Sequence, residues 1–182
     1  MEPAVIQTAR LRLRPWREED KPPFRALNAD PRVMACFPSL LSPSQSDALA
    51  ERFQKFIEAQ GWGFWAVECN ATQAFIGFVG LHARPDALPF SPCVEIGWRL
   101  AHQYWGRGYA SEAAGGALRF GFDRLQLEEI VAFTAVGNVR SRAVMERLGM
   151  REDGNGFDHP ALPEGHPLRR HCLYRISASA PA

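Results

Sequence analysis

The chain has 182 residues, of which 46% are hydrophobic and 23% charged, and its formal net charge is +1. A domain of this size buries about 70% of the surface its unfolded chain exposes, so it needs no disulfide or metal staple, and its composition excludes a disordered protein. The near-neutral charge and dispersed arginines argue against direct nucleic-acid or membrane-surface binding. The lack of a bilayer-length apolar run, and the absence of a signal-peptide layout after Met1, point to the cytoplasm.

Thr8–Arg14 alternates, with Ala9, Leu11 and Leu13 on one face and Arg10, Arg12 and Arg14 on the other, which predicts a half-buried strand stopped by Pro15. Glu18-Glu19-Asp20 opens a short helix to about Asn28. Ser42-Pro43 has the form of an N-cap followed by proline at the first helical position, and Gly61 ends that second helix. Gly63–Cys69 and Ala74–His82 read as a hairpin around Asn70–Gln73, followed by a proline-rich loop over Arg84–Pro92. Cys93–Leu100 is a strand with Val94, Ile96, Trp98 and Leu100 on one face and Glu95, Gly97 and Arg99 on the other. A helix over about Ala110–Leu125 carries a narrow stripe of small residues suited to close packing on a sheet. Glu129–Val136 is a strand, and Asn138–Leu148 is a helix closed by Gly149. Two strands, near Met150–Phe157 and Leu168–Ile176, flank a turn-rich loop. The sum is an α/β chain with a mixed sheet and helices on both faces, one domain over residues 1–182 with a flexible tail at 178–182.

The chemistry concentrates in Gln103-Tyr104-Trp105-Gly106-Arg107-Gly108-Tyr109-Ala110, between a strand and a helix. Glycines let the backbone turn and a ligand approach, and free amides at a helix N-terminus attract anions. The segment reads either as a phosphate cradle or as an ordinary strand-to-helix turn. It is too short for a Walker A loop, and Ser111 stands where a Rossmann fingerprint has its third glycine. Asn138 reads equally as a helix cap, and Ser141 as a locally bonded hydroxyl. Glu95 is either a base or an ion-paired strand glutamate, with Arg99 as its same-face neighbour. Asp158, His159 and His171 form a second polar concentration, while His166 reads as part of a hydrogen-bonded turn. The cysteines are too far apart for a zinc or redox pair, and no metal is expected.

Gln103-x-x-Gly106-x-Gly108 followed by Tyr109-Ala110 resembles the acyl-CoA pyrophosphate loop of the GNAT acetyltransferase superfamily. Thr8–Arg14 resembles the first strand of its RimJ/RimL-like branch, the ribosomal-protein N-terminal alanine acetyltransferases. Glu95–Leu100 resembles that branch's fourth strand, and Asn138-x-x-Ser141 with Val144–Met150 its helix ending in Gly-Phe. The resemblance covers nearly the whole chain. It implies a GNAT-like fold with about seven strands, mostly antiparallel, splayed between the fourth and fifth to admit pantetheine.

The resemblance further implies an N-acetyltransferase that moves an acetyl group from acetyl-CoA to a primary amine by direct attack through a tetrahedral intermediate. Coenzyme A would be held by Trp98, Arg99, Leu100, Gln103, Trp105, Gly106, Arg107, Gly108, Tyr109, Ala110, Asn138 and Ser141. Glu95 would be the base, and Ser141 or water the donor to the leaving thiolate, because Met145 stands where many relatives have a tyrosine. Asp158, His159 and His171 would border the acceptor; Phe37 and Trp62 read either as core aromatics or as lining for its pocket. The acceptor, a protein N-terminus or a small molecule, stays open, as does a homodimer. The rival reading is a non-catalytic acyl-CoA-binding sensor.

Overall fold

The computed structural model describes residues 2–86 and 88–178. Nine strands form one sheet in the order β1-β2-β3-β4-β5-β6-β9-β7, with β8 also paired to β9. They are β1 (Ile6–Gln7), β2 (Leu11–Arg14), β3 (Phe64–Cys69), β4 (Phe75–Arg84), β5 (Cys93–Leu100), β6 (Glu129–Ala135), β7 (Arg151–Glu152), β8 (Phe157–Asp158) and β9 (Arg170–Ser177). The helices are α1 (Lys21–Asn28), α2 (Pro43–Gln60), α3 (Tyr109–Asp123) and α4 (Val139–Arg147). Among the described residues only β5 and β6 pair in parallel; the other ladders are antiparallel.

The strand count corrects the expected seven, because β1 precedes the first expected strand and the strand expected near Met150–Phe157 is divided. Thr8–Arg10 turns back on itself, with the Thr8 amide donating to Leu11 O and the Leu11 amide to Thr8 Oγ1, so β1 folds against β2. Ala9, expected inside, is exposed at this turn. A bend at Gly154–Asn155 divides β7 from β8, and both pair with β9. Arg14, expected on the solvent face, is buried, donating to Asp20 and Glu68. Of the expected tail, Ala178 donates its amide to Glu128 O, and residues 179–182 lie outside the described residues.

The capping signals work as the sequence predicts. Ser42 Oγ accepts from the Gln45 amide while Gln45 Oε1 accepts from the Ser42 amide, with Pro43 beginning α2. All of β3 is buried because both sheet faces are covered. Phe64 meets Phe53 of α2 at 5.0 Å between ring centroids, and its neighbour Trp65 meets Phe120 of α3 at 5.3 Å. Helices α1 and α2 therefore cover one face, and α3 the other. A Cβ at Gly121 would sit 2.7 Å from Ile130 Cδ1, so the small-residue stripe of α3 is what lets helix and sheet approach.

The sheet opens where β5 meets β6. Glu95 opposite Val131 is their single paired position. Beyond it, Ile96 to Leu100 run on with no strand partner on the β6 side, while β4 pairs them throughout on the other side.

Candidate active site

Strand β5 leads through a 3-10 turn at His102–Tyr104 into the Gly106–Gly108 loop and then α3. Gly106 and Gly108 both adopt left-handed backbone angles, φ of 72° and 76°, which non-glycine residues rarely take. Gly108 stands at the N-cap of α3 without a side-chain cap. The first helical amide to find a backbone acceptor is that of Glu112, bonded to Gly108 O. The amides of Gly106 to Ser111 have no acceptor among the described residues. These are free donors at the positive end of a helix dipole.

Two features missed in the sequence brace this loop. Arg10 donates through Nη1 to Arg107 O at 3.0 Å, and its guanidinium lies 4.6 Å over the Tyr109 ring. Glu112 accepts from Thr8 Oγ1, the Arg10 amide and Arg10 Nε at 2.6–2.7 Å, tying the β1–β2 turn to α3. Trp105 donates to Leu100 O at 2.8 Å, and the Arg140 guanidinium sits 4.7 Å over its ring. A groove of about 290 Å³ lined by Pro23, Leu27, Phe75, Gln103 and Tyr104 opens nearby, and it holds none of the acid–base candidates.

Glu95 is 6% exposed and lies on the sheet face turned away from α3. Its Oε1 accepts from Arg84 Nη2 at 2.7 Å, so its partner is Arg84 rather than its same-face neighbour Arg99. Burial raises the Glu95 carboxyl above its ordinary pKa, and the Arg84 charge and hydrogen bond oppose that shift. Directly across the β4–β5 ladder stands His82, with its ring stacked 4.7 Å from Phe56 and 5.5 Å from Phe64. Burial, then the charges of Arg84 and Arg52, push the imidazole down to about 4. His82 Nδ1, Arg84 Nε and Arg99 Nε are all shut off from solvent with no hydrogen-bond partner. These three atoms lie along one face of β4 and β5, and among the described residues each lacks a polar partner. Burial and the Glu95 charge raise the Cys93 thiol, which keeps it protonated and a poor nucleophile.

His159 and His171 come together, with ring centroids 5.0 Å apart, beside Phe133 and Phe157 on the Glu95 face of the sheet. His159 Nδ1 accepts from the Ala161 amide, which leaves its proton on Nε2. His171 Nδ1 contacts Arg169 O at 3.1 Å, a geometry that puts its proton on Nδ1 and leaves Nε2 free to accept. Burial lowers both pKa values, so both rings are neutral near pH 7. Asp158 does not join them: its exposed carboxylate pairs with Arg170 and Arg169. His166 is the turn residue expected, accepting from the Leu168 amide.

Asn138 caps α4, as one of its two readings had it. Its Oδ1 accepts from the Ser141 amide, and its Nδ2 donates to Thr134 Oγ1 at 2.9 Å and Ser141 Oγ at 3.1 Å. Because Ser141 Oγ accepts there, its own hydroxyl proton is free to be donated elsewhere. Met145, one turn on, is buried. Trp98 and Leu100 face the α3 side of β5, whereas Arg99 points the other way, towards α1. Trp62 packs against Phe56, and Phe37 lies under Arg99. Among the described residues no group of three His, Cys, Asp or Glu side chains is placed to hold a metal, and no helix is long and apolar enough to cross a membrane.

An open β5 edge thus runs into the uncapped start of α3, with Glu95, His82, His159 and His171 on the sheet face turned away from that helix. Residues 10–151 match the acetyltransferase (GNAT) domain model, and the chain belongs to that family. It is 33% identical to the uncharacterised protein YkkB of Bacillus subtilis over 80% of this chain and 84% of that one. It is 30% identical to the FsC-acetyl coenzyme A-N(2)-transacetylase of Aspergillus fumigatus, over 88% of this chain and 73% of that one. Among solved structures, a GNAT-family acetyltransferase from Bacillus anthracis superposes with a TM-score of 0.81 at 24% identity, covering 97% of this chain and all of that one.

Proposed function

We propose that the chain transfers an acetyl group from acetyl-CoA to a primary amine. The observation that carries this reading is the open β5 edge leading directly into the uncapped start of α3. The amides of Gly106 to Ser111, with Arg107 beside them, suit a pyrophosphate, and the unpaired edge from Ile96 to Leu100 suits an amide-bearing arm. Trp98, Leu100, Gln103, Trp105 and Asn138 complete that side. When bound, acetyl-CoA supplies the thioester, which the amine attacks directly, and no acyl-enzyme is required.

The chain's own residues supply the proton traffic. An α-amino group has a pKa of about 8 and a lysine-like amine about 10.4, so the acceptor must lose a proton before it attacks. Glu95 takes that proton, directly or through one water, and Arg84 opposes the upward pull of burial on its pKa. Ser141 donates its free hydroxyl proton to the departing thiolate. His159 and His171, neutral and side by side, border the acceptor, with Asp158 at the outer rim.

The test is thiol release from acetyl-CoA across a panel of primary amines. Amine-dependent release supports the reading. Tight coenzyme A binding with no turnover on any amine overturns it in favour of a binding module.

A further inference from the structure

Arg99 is hard to explain as a structural residue. Its Nη1 donates to Asn28 Oδ1 at 2.7 Å, and Asn28, fully buried, is itself fixed by donating to Ser46 Oγ at 2.9 Å. The guanidinium carbon lies 3.9 Å over the Phe37 ring centroid. Its Nε is sealed from solvent and unpartnered. Among the described residues no carboxylate pairs with it, and burial alone lowers its pKa to about 10. One of its five N–H donors therefore has a protein acceptor, and its charge has no counter-ion. Arg99 as a whole keeps partial exposure, and an uncompensated charge drawn partly out of water is costly, so proteins keep one where a ligand brings the opposite charge.

The setting says which ligand. Arg99 shares its face of β5 with Glu95 and Gly97, on the side of the sheet away from α3 and its phosphate-binding start. It stands two residues beyond Gly97, about 7 Å along the strand. A guanidinium is planar, and its remaining donors form a fork that matches a planar two-oxygen anion. We propose that Arg99, positioned by Asn28 and Phe37, is a carboxylate-binding subsite for the acceptor. The substrate class is then an amine that carries a carboxylate a few bonds from its reacting nitrogen. This rests on the acetyltransferase reading above, and it moves Arg99 from the coenzyme A side, where the sequence suggests it, to the acceptor side.

The experiment is steady-state thiol release with matched acceptors: free amino acids, their α-amides, and the corresponding amines without the carboxylate. Short peptides with Asp or Glu beside the terminal amine, set against Asn or Gln, form a second arm that separates a free amino acid from an acidic chain end. The wild type is expected to show kcat/KM at least about tenfold higher for the carboxylate-bearing member of the better arm. Arg99→Gln should erase that preference, losing about 10- to 100-fold more on carboxylate acceptors than on carboxylate-free ones, chiefly in acceptor KM. Arg99→Lys, which keeps the charge but not the fork, should fall between. Acetate should compete with the acceptor and not with acetyl-CoA in the wild type, a readout that needs no variant. Equal loss on both acceptor classes, a rise confined to the acetyl-CoA KM, or a wild type indifferent to the carboxylate would each overturn the subsite while leaving acetyl transfer standing. If no amine of any kind is acetylated, the underlying reading falls and the subsite with it.

Discussion

Glu95 is held between burial, which favours its neutral form, and Arg84, which favours the carboxylate. Because the proposed base is the carboxylate, turnover should rise with pH through a pKa above the usual glutamate value. Glu95→Gln should lower kcat by about 10²–10⁴-fold and remove that rise, with acetyl-CoA affinity little changed. Arg84→Gln removes the opposing cation, so the rise should move to higher pH; an unmoved pH–rate profile would count against the pair. His82 gives a separate signal in stability. Its imidazole is held near 4 in the fold and titrates near 6.5 when unfolded, so the unfolded chain binds the extra proton between those values. Stability from this group is full above about 6.5 and is lost as the pH falls towards 4. Thermal melts of His82→Gln should show a flatter decline over that window than the wild type. Neither His82 nor Arg84 stood out in the sequence, because their meaning lies in the β4–β5 register, which pairs His82 with Glu95 across two strands and a proline-rich loop. Arg14 was misread for a related reason: alternation places it opposite the leucines, but its partners Asp20 and Glu68 come from elsewhere in the chain and close over it.

At the scale of elements, the strand-to-helix passage from Cys93 to Asp123 was legible almost whole. Alternation fixed the faces of β5, and paired glycines before a helix marked the turn. What the residues alone left open was whether that turn binds an anion, and the uncapped amides of Gly106 to Ser111 now favour a cradle. Gly108→Val places a branched side chain at a φ of 76° beside those amides. Calorimetric titration should find coenzyme A binding abolished in this variant, while circular dichroism still reports a folded chain. Unchanged affinity would remove the loop from the proposal. The extra strand β1 was not legible, since the Thr8–Arg10 turn hardly breaks the alternation, whereas the polar run Asp153-Gly154-Asn155-Gly156 did carry a turn signal where a single strand was read. The brace of Arg10 and Glu112 was hidden because its partners lie 102 residues apart.

Taken whole, the molecule is a family fold that its motifs, in order and at their spacing, already implied. The family match over residues 10–151 and the sheet with helices on both faces bear that out. Its opening between β5 and β6 also predicts a response to ligand. A ligand that binds only the folded chain stabilises it by about 2.7 kcal/mol at a hundredfold excess over Kd, so coenzyme A should raise the melting temperature. Hydrogen exchange should slow most at the amides of Ile96–Leu100 and Gly106–Ser111, and protection elsewhere but not there would contradict the proposed seat. The same opening gives the molecule a mechanical grain. Long antiparallel ladders bind β3 to β4 to β5, and β6 to β9, while one paired position joins the two groups. Pulled apart across the sheet, the protein has a seam: the load passes through Glu95 and Val131 and through the side-chain packing of α3, which bridges Leu81 and Ile130 at Gly121. The two blocks should part along that line before either one tears.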